Sequence, residues 1–177
     1  MKIKYKNSKN VKKYKNFLSE EIYIKIKEIV QSKKNQFIMV SLADGNSVNS
    51  NSIMRYGLEN DFQLKKQIQI EIESKIPYFV KNMHINLIPN LSFIDWHKDS
   101  HCIAALTVYL NEKWNDNWGG YLIYEENDEL KAIKPEKNLA IIQKTPLNHS
   151  VSMVNIGADY RISLQIFLHK ENEKNII

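Results

Sequence analysis

At Pro77 the hydrophobic period of this chain changes, and that change restricts the fold more than any other feature of the sequence. Before it, Leu64, Ile68, Ile72 and Ile76 repeat every four residues, one stripe of an amphipathic helix over residues 60–76 that the proline ends. An earlier stripe, Ile22, Ile26, Ile29 and Val30, predicts another helix running to about Lys34. Its start is marked by Ser19, a capping hydroxyl, with Glu20 and Glu21 in the first turn. After Pro77 the segments 78–88, 103–110, 121–124, 130–133, 139–143, 151–154 and 160–168 are short and rich in β-branched and aromatic residues. Asn, Asp, Gly and Pro separate them. Short strands with no helix between them predict an antiparallel sandwich or barrel, with the two helices covering one sheet.

A length of 177 residues suits one domain with a sizeable core, and 43% hydrophobic content with only five Gly and four Pro excludes disordered and low-complexity classes. No uncharged apolar run approaches the roughly 18 residues of a membrane span, so no membrane partner is expected. The net charge of +5 is a property of one end. Residues 1–34 hold eleven Lys against three Glu, +8, which leaves −3 for the remainder. That distribution reads as a solvated basic arm, residues 1–16, and no nucleic-acid partner is expected. The first 17 residues carry no apolar core of a secretory signal and Cys102 is the lone cysteine, so a cytoplasmic protein is expected.

Five histidines occur, His84, His97, His101, His149 and His169. A His followed two residues later by a carboxylate arises by chance about 0.6 times in a chain with five His and 20 acidic residues. His97-Lys98-Asp99 therefore gains weight only from its context. His149 lies 50 residues after Asp99, and two imidazoles with one carboxylate on one face of an octahedral metal form the facial triad of non-haem Fe(II) oxygenases. Arg161 follows His149 by 12 residues. It is one of two arginines, with Arg55, among 25 basic residues, and a guanidinium fork holds a buried carboxylate better than an ammonium does. Alternation along the last strand puts Arg161, Ser163, Gln165 and Phe167 on one face, expected to line the barrel interior. His84 and His169 are expected to be structural, and His101 a pocket-edge or surface residue.

With these pieces in order, His97-Lys98-Asp99, Leu106-Thr107-Val108-Tyr109-Leu110-Asn111 with Trp114, Gly119-Gly120-Tyr121-Leu122, His149 and Arg161-Ile162-Ser163-Leu164, the chain resembles the Fe(II)- and 2-oxoglutarate-dependent dioxygenases of the prolyl-4-hydroxylase-like group. The resemblance implies a mostly β, α+β fold, a double-stranded β-helix (jelly roll, cupin-like) with helices packed on one sheet. It implies a single domain over 1–177, with helical support over 17–77 and a jelly-roll core over 78–170. It makes His97, Asp99 and His149 the metal ligands. Arg161 would pair with the distal carboxylate of 2-oxoglutarate, Tyr109 would hydrogen-bond that carboxylate, Leu122 would be apolar wall, and Ser163 and Gln165 would complete the cosubstrate contacts. Fe(II), 2-oxoglutarate, O2 and ascorbate are the cofactors it suggests.

The implied reaction is hydroxylation of an unactivated C–H on a prolyl peptide, amino acid or other small molecule, with release of succinate and CO2. Related halogenases have Gly or Ala in place of Asp99, and nucleobase demethylases carry a second arginine six residues after the first, where this chain has Phe167. A demethylase, or a non-catalytic jelly-roll module whose basic arm contacts nucleic acid, remains the alternative. Ile88-Pro89 stands where the hypoxia-type enzymes have Tyr-Pro. Arg55 and Trp96 are candidate substrate contacts, and the polar stretch 44–52 is either an exposed loop or a lid.

Overall fold

The computed structural model describes residues 9–40, 43–44, 47–48 and 53–170. In chain order its elements are β1 (Val11–Tyr14), α1 (Glu20–Ser32), β2 (Ile38–Val40), β3 (Ala43–Asp44), β4 (Ser47–Val48), β5 (Ile53–Gly57), α2 (Phe62–Lys75), β6 (Phe79–Pro89), β7 (Ile94–His97), β8 (Ala104–Tyr109), β9 (Leu122–Glu126), β10 (Glu129–Ile133), β11 (Ala140–Lys144), β12 (His149–Val151) and β13 (Tyr160–His169). A seven-stranded antiparallel sheet runs β1-β11-β8-β13-β6-β5-β2, and a four-stranded sheet runs β10-β9-β12-β7. The two sheets with helices on the outer face of the larger one make a double-stranded β-helix.

Both helices form where expected. Ser19 caps α1 by accepting a hydrogen bond from the Ile22 amide, and Ile22, Ile26 and Ile29 are buried. In α2 the buried stripe is Ile68 and Ile72, with Ile76 at the extended residue that ends it. Asp61, at the start of α2, makes no capping bond; it accepts from Lys33 Nζ at 2.5 Å and from the Tyr56 hydroxyl at 2.6 Å, tying α1, β5 and α2 together. The helices pack on residues from alternate positions of the large sheet, among them Ile85, Leu87, Leu106, Val108, Leu164 and Ile166. Each such fully buried side chain contributes about 1.5–3 kcal/mol.

Three strands of the large sheet lie where the sequence predicts none. β1 belongs to the expected basic arm, yet Val11–Tyr14 pairs antiparallel with β11, Val11 opposite Gln143. β2 and β5 belong to the expected helical support. These strands occupy or adjoin the sheet edges, where one or two buried residues suffice: only Val11 in β1 is buried, and Ile38 and Met39 of β2 are exposed. Lysines at an edge also block further pairing. The strand expected over 151–154 instead begins at His149. Residues 1–8 and most of the 44–52 stretch lie outside the described residues; of the latter, Asp44 pairs with Ser47 in a small hairpin. Among the described residues no helix is long and apolar enough to cross a membrane.

Candidate active site

β13 is the middle strand of the large sheet, and its two faces differ. Leu164, Ile166 and Leu168 point to the helices, whereas Arg161, Ser163, Gln165 and Phe167 line a cavity of about 430 Å³ between the sheets. The strand alternation expected from sequence is therefore the alternation that separates core from cavity.

The small sheet supplies a cluster of metal-ligating side chains. His97 ends β7, His149 begins β12, and the two are direct cross-strand partners. Their rings lie 4.2 Å apart between centroids, and Asp99, two residues beyond β7, brings Oδ2 to 3.8 Å from His149 Nε2. One ligand atom from each of His97, Asp99 and His149 falls within 4.8 Å of the others. Each imidazole is fixed from behind, because Nδ1 of His97 donates to the Asp95 carbonyl and Nδ1 of His149 to the Leu147 carbonyl, both at 2.8 Å. With that proton placed, the neutral ring presents the Nε2 lone pair forward. Burial, then the neighbouring His97, pulls the His149 pKa below the ordinary histidine value, which favours the neutral form a metal requires. The donor set of two imidazoles and one carboxylate fits Fe(II).

At one end of the cavity Arg161 is built in. It is 3% exposed, Nε donates to the Gly120 carbonyl at 2.8 Å, and Nη1 donates to Ser163 Oγ at 3.4 Å. The guanidinium lies 4.9 Å from the Tyr109 ring centroid, a cation–π arrangement. Gly120 has φ +64°, and a Cβ there would stand 3.1 Å from Arg161 Cδ and 3.0 Å from Trp114 Cζ2, so the position needs glycine both for its backbone and for the close approach. Trp114 Nε1 donates to the Gly119 carbonyl at 2.9 Å and holds the same turn. Tyr109 is fully buried against Arg161, and its hydroxyl makes no hydrogen bond of ordinary geometry. The buried Gln143 amide nitrogen is likewise unpartnered and its residue faces the cavity. The orphaned Tyr109 hydroxyl beside a buried guanidinium fits a carboxylate-bearing molecule. Gln165 Oε1 accepts from Thr107 Oγ1 at 2.7 Å, and Leu122 and Ile88 are apolar wall.

The other end holds Arg55, whose Nε donates to Asn86 Oδ1 at 3.2 Å, with His84 farther along β6 and His101 at the edge, its ring 4.4 Å from that of Phe167. His84 is 5% exposed and faces the cavity, so it is not the purely structural residue expected. The signal for it was parity, since His84, Asn86 and Ile88 alternate along β6. Trp96 is a correction. It is 40% exposed and does not line the cavity, because its neighbour His97 turns inward and alternation sends Trp96 outward.

Residues 83–169 match the family model of the 2OG-Fe(II) oxygenase superfamily. This segment, just under half of the chain, carries the likeness to that superfamily. Members of that superfamily use Fe(II), 2-oxoglutarate and O2, and among the described residues the His-Asp-His cluster has the donors for the metal. A search of curated proteins finds no match. Among solved structures, the fold is similar to a prolyl hydroxylase of Trichoplax adhaerens in complex with a peptide fragment of the hypoxia inducible factor oxygen degradation domain, with a TM-score of 0.77 and 18% identity over 95% of this chain and 87% of that one. It is also similar to a Pseudomonas putida prolyl-4-hydroxylase, TM-score 0.65 and 14% identity, covering 92% and 93% of the two chains. The α-ketoglutarate-dependent epimerase SnoN from nogalamycin biosynthesis gives 0.67 at 9% identity, covering 91% and 78%. At such identities the likeness is one of fold.

Proposed function

We propose that this oxygenase is a hydroxylase that inserts oxygen into an unactivated C–H of a prolyl peptide or amino-acid-like substrate. The observation that carries the reading is the convergence of His97, Asp99 and His149 within 4.8 Å in the same cavity as the buried, fixed Arg161. In this reading the three residues hold Fe(II), with Nε2 of each imidazole oriented by the carbonyl behind Nδ1. Arg161 anchors the distal carboxylate of 2-oxoglutarate, with the Tyr109 hydroxyl, Ser163 and the Gln165 amide as neighbours, and its support on Gly120 means that little reorganises on binding. Leu122 and Ile88 exclude water from the reacting groups. The iron and its keto acid, when bound, supply an oxidant made from O2 as 2-oxoglutarate is converted to succinate and CO2. The chain's remaining part is to position one C–H of the substrate. Asp99 keeps a carboxylate on the metal, which supports hydroxylation over halogenation, and two of the similar folds belong to prolyl hydroxylases.

Anaerobic addition of Fe(II) and 2-oxoglutarate should produce the visible charge-transfer band of a chelated keto acid, and His149→Ala should abolish it. A wild-type protein without the band would remove the reading. Succinate release should then be stimulated by prolyl peptides or free amino acids; stimulation by methylated oligonucleotides alone would favour a demethylase instead.

A further inference from the structure

Only two of the 25 basic residues are arginines, and both open into one cavity. Strand register locates Arg55 relative to the other. Arg55 is opposite Asn86, Asn86 opposite Ser163, and Ser163 opposite Tyr109, so one row across the sheet joins Arg55 to the cluster around Arg161. Two strand spacings, about 10 Å, separate the Arg55 backbone from that of Ser163. The two guanidinia are also held by different partners, Arg161 by the Gly120 carbonyl and Ser163 and Arg55 by Asn86, an arrangement that suits two ligands side by side.

Arg55 has no carboxylate within ion-pair distance among the described residues, and its one hydrogen bond there is to Asn86 Oδ1. Burial lowers its pKa from the ordinary arginine value, the mark of a partly desolvated cation. Farther along β6, His84 is 5% exposed, and Nε2 is buried without a partner. Burial, then Arg55 and His101, pushes its pKa down to about 3, so the ring is neutral and keeps one N–H to donate. Among the described residues the cavity is lined by Arg55, Lys81, Lys98 and Arg161 against the single carboxylate Asp99. A divalent iron, dianionic 2-oxoglutarate, Asp99 and Arg161 together sum to zero, which leaves Arg55, Lys81 and Lys98 unmatched. The two lysines are exposed and solvated at the rim, whereas Arg55 is half-buried.

The geometry points to a substrate that carries an oxyanion, a carboxylate or a phosphate, held by Arg55 with His84 beside it, its reacting carbon lying between that oxyanion and the His97–Asp99–His149 cluster. This rests on the reading of the site as an oxygenase centre and narrows its substrate class to acids. Asn86 is a positioning residue that orients the Arg55 fork.

The test is succinate release by the Fe(II)-loaded protein with substrates offered in charged and neutral pairs. The pairs are free L-amino acids against their α-amides, prolyl peptides with Asp or Glu beside the proline against the same peptides with Asn or Gln, and O-phosphoserine against serine. At least one charged member should show a KM lower than its neutral partner by about tenfold or more, and the pair that discriminates identifies the source of the oxyanion. Arg55→Gln should erase that preference by raising the KM of the charged member with a smaller change in kcat, and Arg55→Lys should restore part of it. Equal stimulation by neutral partners in the wild-type protein, or by no charged member, overturns the inference while the charge-transfer band keeps the oxygenase reading. A rise in the KM for 2-oxoglutarate in Arg55→Gln as large as that for the acid overturns it too, by moving Arg55 to the cosubstrate. Absence of the band removes the oxygenase reading and this inference with it.

Discussion

Arg161 and Arg55 enter one cavity from strands of the same sheet, but they are held differently. Arg161 is buried, bonded to a main-chain carbonyl and a serine, and laid across an aromatic ring. Arg55 is half-buried and bonded to one asparagine. A guanidinium locked by glycine, serine and tyrosine fits a ligand that is the same in every turnover. One held at a single point can adjust to a ligand that arrives and leaves in different forms. The contrast teaches that residue type names a binding capacity, while the surrounding bonds decide how rigidly it is used.

The strongest way to break the comparison is Arg161→Ala. Loss of a buried charge-assisted pair should weaken 2-oxoglutarate binding by roughly 2–5 kcal/mol, read by titrating the charge-transfer band, and Arg161→Lys should fall between because an ammonium lacks the fork. Wild-type affinity in Arg161→Ala would assign the carboxylate elsewhere. Gly120→Ala attacks the support alone. At φ +64° with neighbours at 3.0–3.1 Å it should cost about 1–3 kcal/mol of stability, seen in thermal unfolding, together with weaker 2-oxoglutarate binding; a variant as stable as the parent would show that the turn is not strained. Tyr109→Phe removes a hydroxyl that makes no hydrogen bond of ordinary geometry, so stability should hold while 2-oxoglutarate affinity falls by about 0.5–1.5 kcal/mol. The smallest effect on that titration belongs to Arg55→Gln, below about threefold, which sharpens the division of labour between the two arginines.

Much of this arrangement was legible before any coordinates. The stripes Ile22 to Val30 and Leu64 to Ile76 gave both helices, and alternation on β13 separated Leu164 and Ile166 from Arg161 and Ser163, because one face of that strand meets an apolar core and the other a polar cavity. Spacing also brought His97, Asp99 and His149 under suspicion, and the paired register of β7 and β12 does bring them together. What escaped was edge pairing and side-chain direction. β1 and β2 carry too few buried residues to show a period. Trp96 sits beside His97 in sequence and faces the other way in space. His84 and Asn86 were overlooked because β6 reads as a nearly continuous core strand, Met83 to Ile88 all being buried, and only their shared parity sets the two polar residues apart.

Because every second residue of β13 serves the core and every other one the cavity, that strand cannot change length. One inserted residue would turn Arg161 toward the helices and Leu164 toward the cavity, so core packing and the site would fail together. Freedom in chain length lies upstream, in the turn at 155–158, where the Ala158 amide donates to the Asn155 carbonyl and Gly157, with ordinary φ, leaves room for the Trp118 indole rather than supplying a left-handed bend. Strands on either side fix where His149 and Arg161 stand, whatever path the chain takes between them. The 12-residue interval is therefore a property of the turn, and the distance that chemistry depends on is measured through the cavity.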